Sequence, residues 1–514
     1  MNRRDFLRVI GRGVAALAVP GCVNARTGSP GRGAERPNIL FIMSDDHAVQ
    51  AMSCYESKIN KTPNLDRIAN EGMRFDNCFC TNSICTPSRA TILTGKYSHK
   101  NGVLTLSDTF DGSQQTFPKL LQAAGYHTAI VGKWHLKTEP TGFDYYNVLP
   151  GQGLYFDPLM KEKGSAWQDG RKGGRVHPGY VTDVITDVAL DFLKNRPKDK
   201  PFCLLYHHKA PHDMWEYDRK HAHLYQKDVP EPDSLFDDYS NRGEAIKRAT
   251  QKIGMEETVF LHGTQGDQFN NVRAETANLP GGQKKRCAYQ YFIKAYLRCV
   301  ASIDDNIGRV LDYLDESGLG DNTIVIYTSD QGVFLGEHGL FDKRFMYEES
   351  LRMPLIVRYP REIKAGSSSD DIVLNVDFAE TFLDYAAAAV PGDMQGKSLR
   401  PLLRGKKPKN WRTSMYYRYW MHGAHFNVAA HLGLRTKRYK LIYYYGLPLN
   451  AKGAKKEPTP PEWELFDLLK DPKEMKNVYD DPAYRGVVKE LKAELIKLRR
   501  ELEDDNDGIV IGVG

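Results

Sequence analysis

The sequence predicts an α/β protein: a large, mostly parallel sheet sandwiched by helices, with a smaller C-terminal domain of antiparallel strands plus a helix. Three observations lead there. Continuous apolar runs at Asn38–Met43, His127–Val131 and Pro201–Tyr206, and a fourth from Thr323 onward, suit strands buried on both faces. Stretches of helical periodicity separate them. Near residue 400 the pattern changes to shorter β-rich segments divided by turn signals. At 514 residues the chain exceeds the size at which one core keeps growing, so a main domain over 37–405 and a C-terminal subdomain over 406–514 are expected.

Residues 1–36 read as an export signal and tether. Asn2-Arg3-Arg4-Asp5-Phe6-Leu7 resembles a twin-arginine signal, and the run Val14–Val19 follows as its apolar region. Val19-Pro20-Gly21-Cys22 is an imperfect lipobox, so Cys22 is either lipidated at the cell envelope or removed with a leader in the periplasm. Later in the chain no stretch is long and apolar enough to span a membrane. The net charge of +6 contains no basic block fit for nucleic acid, and a polyanionic substrate is tolerated rather than predicted. Eight cysteines in a chain this long do not form a disulfide framework.

The first strand ends in Ser44-Asp45-Asp46-His47, which puts two carboxylates where open parallel sheets carry their ligand sites. Adjacent acids repel unless they share a cation, and oxygen-only ligands favour a hard ion such as Ca²⁺. Taken alone, the segment reads better as a turn with a helix cap. Pro63–Gly72 is a helix with Leu65, Ile68 and Ala69 inward. Cys85-Thr86-Pro87-Ser88-Arg89 then opens a short helix stopped by Gly95: Pro87 fits a first turn, and Cys85 sits just before a helix N-terminus, which favours anions.

A helix at Thr116–Gly125 leads to the second strand, which delivers Gly132-Lys133-Trp134-His135. Residues 138–180 have no clear period and read as loop and cover. A helix over Thr182–Asn195 precedes the third strand, followed by His207-His208-Lys209-Ala210-Pro211-His212. This histidine cluster suggests zinc at first sight, whereas the carboxylate pair argues for an oxygen-bound ion. Residues 216–285 form a polar insertion with short helices, and Ala288–Gly318 is a long amphipathic helix. The fourth strand ends in Asp330-Gln331. Gly336-Glu337-His338-Gly339 and Asp342-Lys343-Arg344 follow, with a strand at Pro354–Tyr359 and a helix at Val376–Ala388. Strands at Ser414–Tyr419, Ala429–Leu434 and Tyr439–Tyr445 and a helix from Tyr484 to about Glu503 complete the chain.

C-x-P-S-R followed by A-x-x-L-T-G resembles the maturation and active-site motif of type I sulfatases, of the alkaline-phosphatase-like superfamily. The resemblance covers Pro37 to about Pro482. It implies that a formylglycine-generating enzyme oxidises Cys85 to formylglycine, whose hydrate attacks sulfur. It further implies that Asp45, Asp46, modified Cys85, Asp330 and Gln331 hold one Ca²⁺, although Asn or His is commoner where Gln331 stands. Arg89, Lys133 and Lys343 clamp the sulfate. His212 is the proton donor to the leaving oxygen, and His135 is the candidate base for the second half-reaction.

The stretch from Tyr417 to His425, with Arg435 beyond, is rich in aromatic and basic residues. Trp420, His422, His425 and Arg435 are therefore candidate sugar contacts, with domain-interface packing as the alternative for each. With Trp463-Glu464-Leu465-Phe466-Asp467, this part is similar to bacterial polysaccharide sulfatases of the N-acetylglucosamine-6-sulfatase or arylsulfatase kind. The expected function is hydrolysis of sulfate esters on a carbohydrate. Alternatives are a phosphonate monoester or phosphodiester hydrolase of the same superfamily and a non-catalytic glycan-binding surface protein.

Overall fold

The apolar runs are strands, and they lie side by side. In the computed structural model, which describes residues 36–167, 173–254, 276 and 278–512, β1 (Asn38–Ser44), β2 (His127–Lys133), β3 (Tyr145–Leu149), β4 (Phe202–His207) and β5 (Thr323–Ser329) form the parallel centre of a ten-stranded sheet. Their order is β5-β1-β4-β2-β3, with every neighbouring pair parallel. Beyond β5 lies β6 (Leu355–Arg358), which is antiparallel to it. The twin-arginine segment and Cys22 lie outside the described residues.

Alternate residues of β1 face two separate cores. Ile39, Phe41 and Met43 pack with Ile92 and Leu93 of α2 (Cys85–Thr94), Phe117 and Leu121 of α3 (Phe117–Ala123), and Phe378 and Phe382 of α6 (Phe378–Tyr385). Leu40 and Ile42 pack on the other face with Leu65 and Ile68 of α1 (Pro63–Asn70), Ile185 of α4 (Val181–Asn195), and the apolar stripe of α5 (Gly281–Glu316). Among the described residues no helix is long and apolar enough to cross a membrane.

The C-terminal part is an antiparallel sheet of β7 (Ser414–Tyr419), β8 (His431–Thr436), β9 (Tyr439–Tyr444) and β10 (Glu462–Asp467), followed by α7 (Arg485–Glu501). It belongs to the same compact unit as the main sheet. Ion pairs join the two: Arg435 holds Glu348 at 3.1 Å and Lys440 reaches it at 2.9 Å, while within the C-terminal part Lys440 also pairs with Glu474 at 2.6 Å.

Besides shorter pieces such as Leu159–Glu162, two strands of five residues or more differ from the sequence reading. Tyr145–Leu149 is a strand of the main sheet rather than cover, and Glu462–Asp467 adds a fourth strand to the C-terminal sheet. Both carry enough polar residues to break the apolar pattern and are fixed by their neighbours.

Gly132 shows how closely the parallel centre is packed. Its φ is +98°, and a Cβ there would lie 1.9 Å from the His207 carbonyl oxygen of the next strand. Gly132→Ala is therefore expected to lower stability by about 3 kcal/mol or more, measured by denaturant unfolding, because neither backbone can retreat within a sheet buried on both sides.

Candidate active site

Because the five central strands are parallel, their C-terminal ends share one edge, and the residues that follow them converge. Ser44 of β1 pairs in register with Ser329 of β5, so Asp45-Asp46 and Asp330-Gln331 leave the sheet at one level. His207 pairs with Met43 on one side and Gly132 on the other, which brings Lys133 and His135 to the same edge. Asp45, Asp46 and Asp330 are all buried, and each offers a carboxylate oxygen within 4.8 Å of the others. Asp45, Cys85 and His212 form a second such group, so the carboxylates and the cysteine bound one pocket.

The turn at Asp46 has a left-handed backbone, φ 66°. It is held from below: the Tyr296 hydroxyl on α5 donates to the Asp46 carbonyl at 2.7 Å and accepts from Ala48 N–H at 2.9 Å. Asp46 N–H donates to Asp330 Oδ1 at 3.3 Å, tying the two strand ends together.

Cys85 is the first residue of α2, one step further into the helix than expected. The helix can begin there because Pro87 lies in its first turn, where no N–H partner is needed. Ile84 precedes it in extended conformation without a side-chain cap, so the opening amides and the positive end of the helix face the pocket. Burial pushes the Cys85 thiol up to about 12, with Lys343 opposing. An unmodified side chain here is a neutral thiol, not a thiolate.

Basic side chains surround these acids. Arg89 donates through Nε to Asp330 Oδ2 at 3.0 Å and through Nη1 to the Lys133 carbonyl at 3.0 Å, and its Nη2 lies 3.8 Å from Asp45. The Lys133 ammonium contacts Asp45 and the Gln152 side chain. Lys343 donates to Asp46 Oδ2 at 2.6 Å, and this carboxylate raises the lysine despite its burial. His135 is held well below the ordinary histidine range by burial and by Lys133, which leaves a neutral imidazole able to accept a proton. His212 faces Asp46 through Nε2 at 3.8 Å. Gln331 touches Asp46 and lies 3.9 Å from the Cys85 sulfur.

The donor set fits a hard divalent ion. Asp45 Oδ1, which has only Arg89 Nη2 at 3.8 Å, and the Gln331 Oε1 are buried without a hydrogen-bond partner, a costly state that an oxygen-coordinated cation relieves. His207, the zinc-like element of the sequence, points Nδ1 at the Lys133 carbonyl instead, at 3.3 Å.

The proposed sugar loop divides. Trp420 is buried with the Arg418 guanidinium 3.5 Å above its ring. Both ring nitrogens of His422 are taken by backbone, Nε2 by the Glu457 carbonyl at 3.0 Å and Nδ1 by Ala430 N–H at 3.1 Å. Arg435 is committed to Glu348 and covers the Phe79 ring at 4.5 Å. Trp420 and His422 are thus engaged within the protein, by a neighbouring guanidinium and by backbone groups, whereas Arg435, beside its pair with Glu348, keeps Nη1 buried without a hydrogen-bond partner. His425 alone of the four is exposed. Arg344, one residue beyond Lys343, was not singled out as a ligand, yet it is buried beside Asp342 with Nη1 unpaired.

A pocket of acids, bases and a cysteine at the carboxyl edge of such a sheet defines an alkaline-phosphatase-like hydrolase. The chain belongs to the sulfatase family: the Sulfatase model matches residues 37–388, and the model for the C-terminal part of N-sulphoglucosamine sulphohydrolase matches residues 336–501. It is 45% identical to an N-acetylglucosamine-6-O-sulfatase of Bacteroides thetaiotaomicron, over 96% of this chain and 91% of that protein. A solved structure of a protein in complex with its substrate D-glucosamine-2-N,6-O-disulfate superposes with a TM-score of 0.85 at 44% identity, covering 93% of this chain and all of that one. A phosphonate monoester hydrolase of Agrobacterium radiobacter shares the fold at a TM-score of 0.70 and 21% identity, covering 91% of this chain and 96% of that one. This protein is a sulfatase, an enzyme that hydrolyses sulfate esters.

Proposed function

We propose that the enzyme removes the 6-O-sulfate of a glucosamine-type sugar, using Cys85 matured to formylglycine and one Ca²⁺. The observation that carries this is the carboxylate cluster beside a cysteine at a helix N-terminus, within a chain like a glucosamine-sulfate enzyme along nearly all of its length. Asp45, Asp46, Asp330 and Gln331 would hold the ion, which when bound supplies positive charge against the sulfate oxygens. Matured residue 85 supplies the nucleophile.

The chain's own residues do the rest. Arg89 fixes Asp330 and the Lys133 carbonyl, so the carboxylates cannot swing apart. Lys133 and Lys343 bring donors to the sulfate oxygens, where charge is redistributed as the ester bond lengthens. As the bond from sulfur to the sugar oxygen breaks, its electron pair stays on that oxygen, which takes the proton from His212 Nε2. His135, neutral and at the same edge, accepts a proton in the second half-reaction; water is the reagent consumed overall. Arg344, buried next to Lys343, and the half-buried Asp342 would offer a donor and an acceptor to the sugar ring.

The test is inorganic sulfate release from N-acetylglucosamine 6-sulfate, glucosamine 2-N,6-O-disulfate and regioisomers sulfated at O3 or O4, using protein co-produced with a formylglycine-generating enzyme. Release confined to 6-sulfated sugars supports the proposal. Preferential turnover of a phosphodiester or phosphonate monoester, or of another sulfate position, overturns it.

A further inference from the structure

His212 is held at one nitrogen of its ring and along its backbone. Its Nδ1 contacts Asp213 Oδ1 directly and also lies 3.0 Å from the Asp213 carbonyl oxygen. Its Nε2 faces the pocket. The Tyr155 hydroxyl donates to the His212 carbonyl. Lys209, itself buried, donates to the Asp213 carbonyl at 3.2 Å and places its ammonium 4.4 Å from the centre of the Tyr155 ring. Downstream, Trp215 packs on Phe292 of α5 at 4.6 Å between ring centres. The segment carrying the histidine is thus pinned on both sides, and among the described residues the one ion pair of the Asp213 carboxylate is with this imidazole, while Lys343 and Lys209 act on it at longer range.

We propose that Asp213 is a positioning residue: it binds the Nδ1 proton of His212, fixes the ring plane, and so aims the Nε2 proton at the ester oxygen of the substrate. The proposal rests on the reading of His212 as the proton donor. A donating imidazolium carries one proton on each nitrogen. Asp213 engages the first, which leaves only the second free to move. After transfer to the sugar oxygen the ring is neutral, with its remaining proton still on Nδ1, and water restores the other. A bare imidazole could rotate about its χ2 bond and present either nitrogen; the carboxylate removes that freedom.

A leaving group that needs no proton separates this role from simple folding support. In matured enzyme, Asp213→Asn is expected to lower kcat on N-acetylglucosamine 6-sulfate by about 100-fold with KM changed less than about threefold. Its loss on 4-nitrophenyl sulfate should be at least about tenfold smaller, because nitrophenolate departs without protonation. His212→Ala should show the same selectivity. Equal losses on both substrates, or a change confined to KM, overturn the proposal. If His212→Ala is selective and Asp213→Asn is not, Asp213 alone loses its role; if His212→Ala affects both substrates alike, the proton-donor reading fails and takes this one with it. A readout independent of turnover is NMR of ¹⁵N-histidine-labelled protein. The Nδ1 proton assigned through His212→Ala should lie downfield and be lost or shifted upfield in Asp213→Asn at unchanged melting temperature. The same resonance in both proteins would also overturn the proposal.

Discussion

Cys85→Ala is expected to release no sulfate from any substrate the matured enzyme turns over, a loss of at least about 10⁴-fold in kcat, the scale seen when a covalent nucleophile is removed. Folding should hardly change. Among the described residues the cysteine's one side-chain hydrogen bond is from Gln331, at 3.9 Å, and the helix it opens is stopped by Gly95 at the other end. Truncating one buried sulfur removes little packing, so unfolding by denaturant should shift by about 1–2 kcal/mol. The pairing of the two outcomes is diagnostic. Because burial keeps the thiol neutral, protein made without the maturation enzyme should resemble the alanine variant in activity, and mass spectrometry of the peptide containing residue 85 should track activity across preparations. Substantial turnover by Cys85→Ala would show that another group performs the attack and would remove the basis for assigning roles around α2.

The central strands were legible because a strand buried on both faces has to be apolar throughout, and Asn38–Ser44 or Thr323–Ser329 leaves no other economical reading. Direction was less legible: Leu355–Arg358 is as apolar as its neighbours, yet runs antiparallel to β5, since burial alone does not encode orientation. The long helix begins at Gly281, several residues ahead of its apolar stripe, because its first two turns are polar. In the site, Asp45, Asp46, Lys133 and Asp330 could be put at strand ends from the apolar runs before them, but their roles were legible only through the sulfatase resemblance. Asp213 could not: a lone acid after a histidine reads as a turn residue, and only the fold brings it back onto the ring. Trp420, His422 and Arg435 went the other way. Their residue types suit a sugar, but His422 is engaged by Glu457 and Arg435 by Glu348, contacts that depend on chain segments far away in sequence, and Trp420 by the Arg418 guanidinium stacked on its ring.

Asp330→Asn tests the other half of the chemistry, the ion and the frame that holds it. Asp330 does three things at once: it contributes one of three clustered carboxylates, pairs with the buried Arg89 at 3.0 Å, and accepts the Asp46 amide at 3.3 Å. Asparagine keeps the shape and one oxygen but removes the charge. With Arg89 left partly uncompensated in a buried position, stability should fall by about 3 kcal/mol. Activity should fall by about 10³-fold, because the sulfate site loses both its ion affinity and the orientation of Arg89. The ion contribution can be isolated without turnover. Calcium present at about 1,000 times its dissociation constant should stabilise the native enzyme by about 4 kcal/mol, seen as a rise in melting temperature over chelator-treated protein. Asp330→Asn should retain less than half of that rise, since a hard cation discriminates steeply by ligand charge. Equal calcium shifts in the two proteins would place the ion elsewhere and leave Asp330 only its pairing with Arg89, in which case the loss of activity should be matched by Arg89→Ala and be insensitive to added calcium.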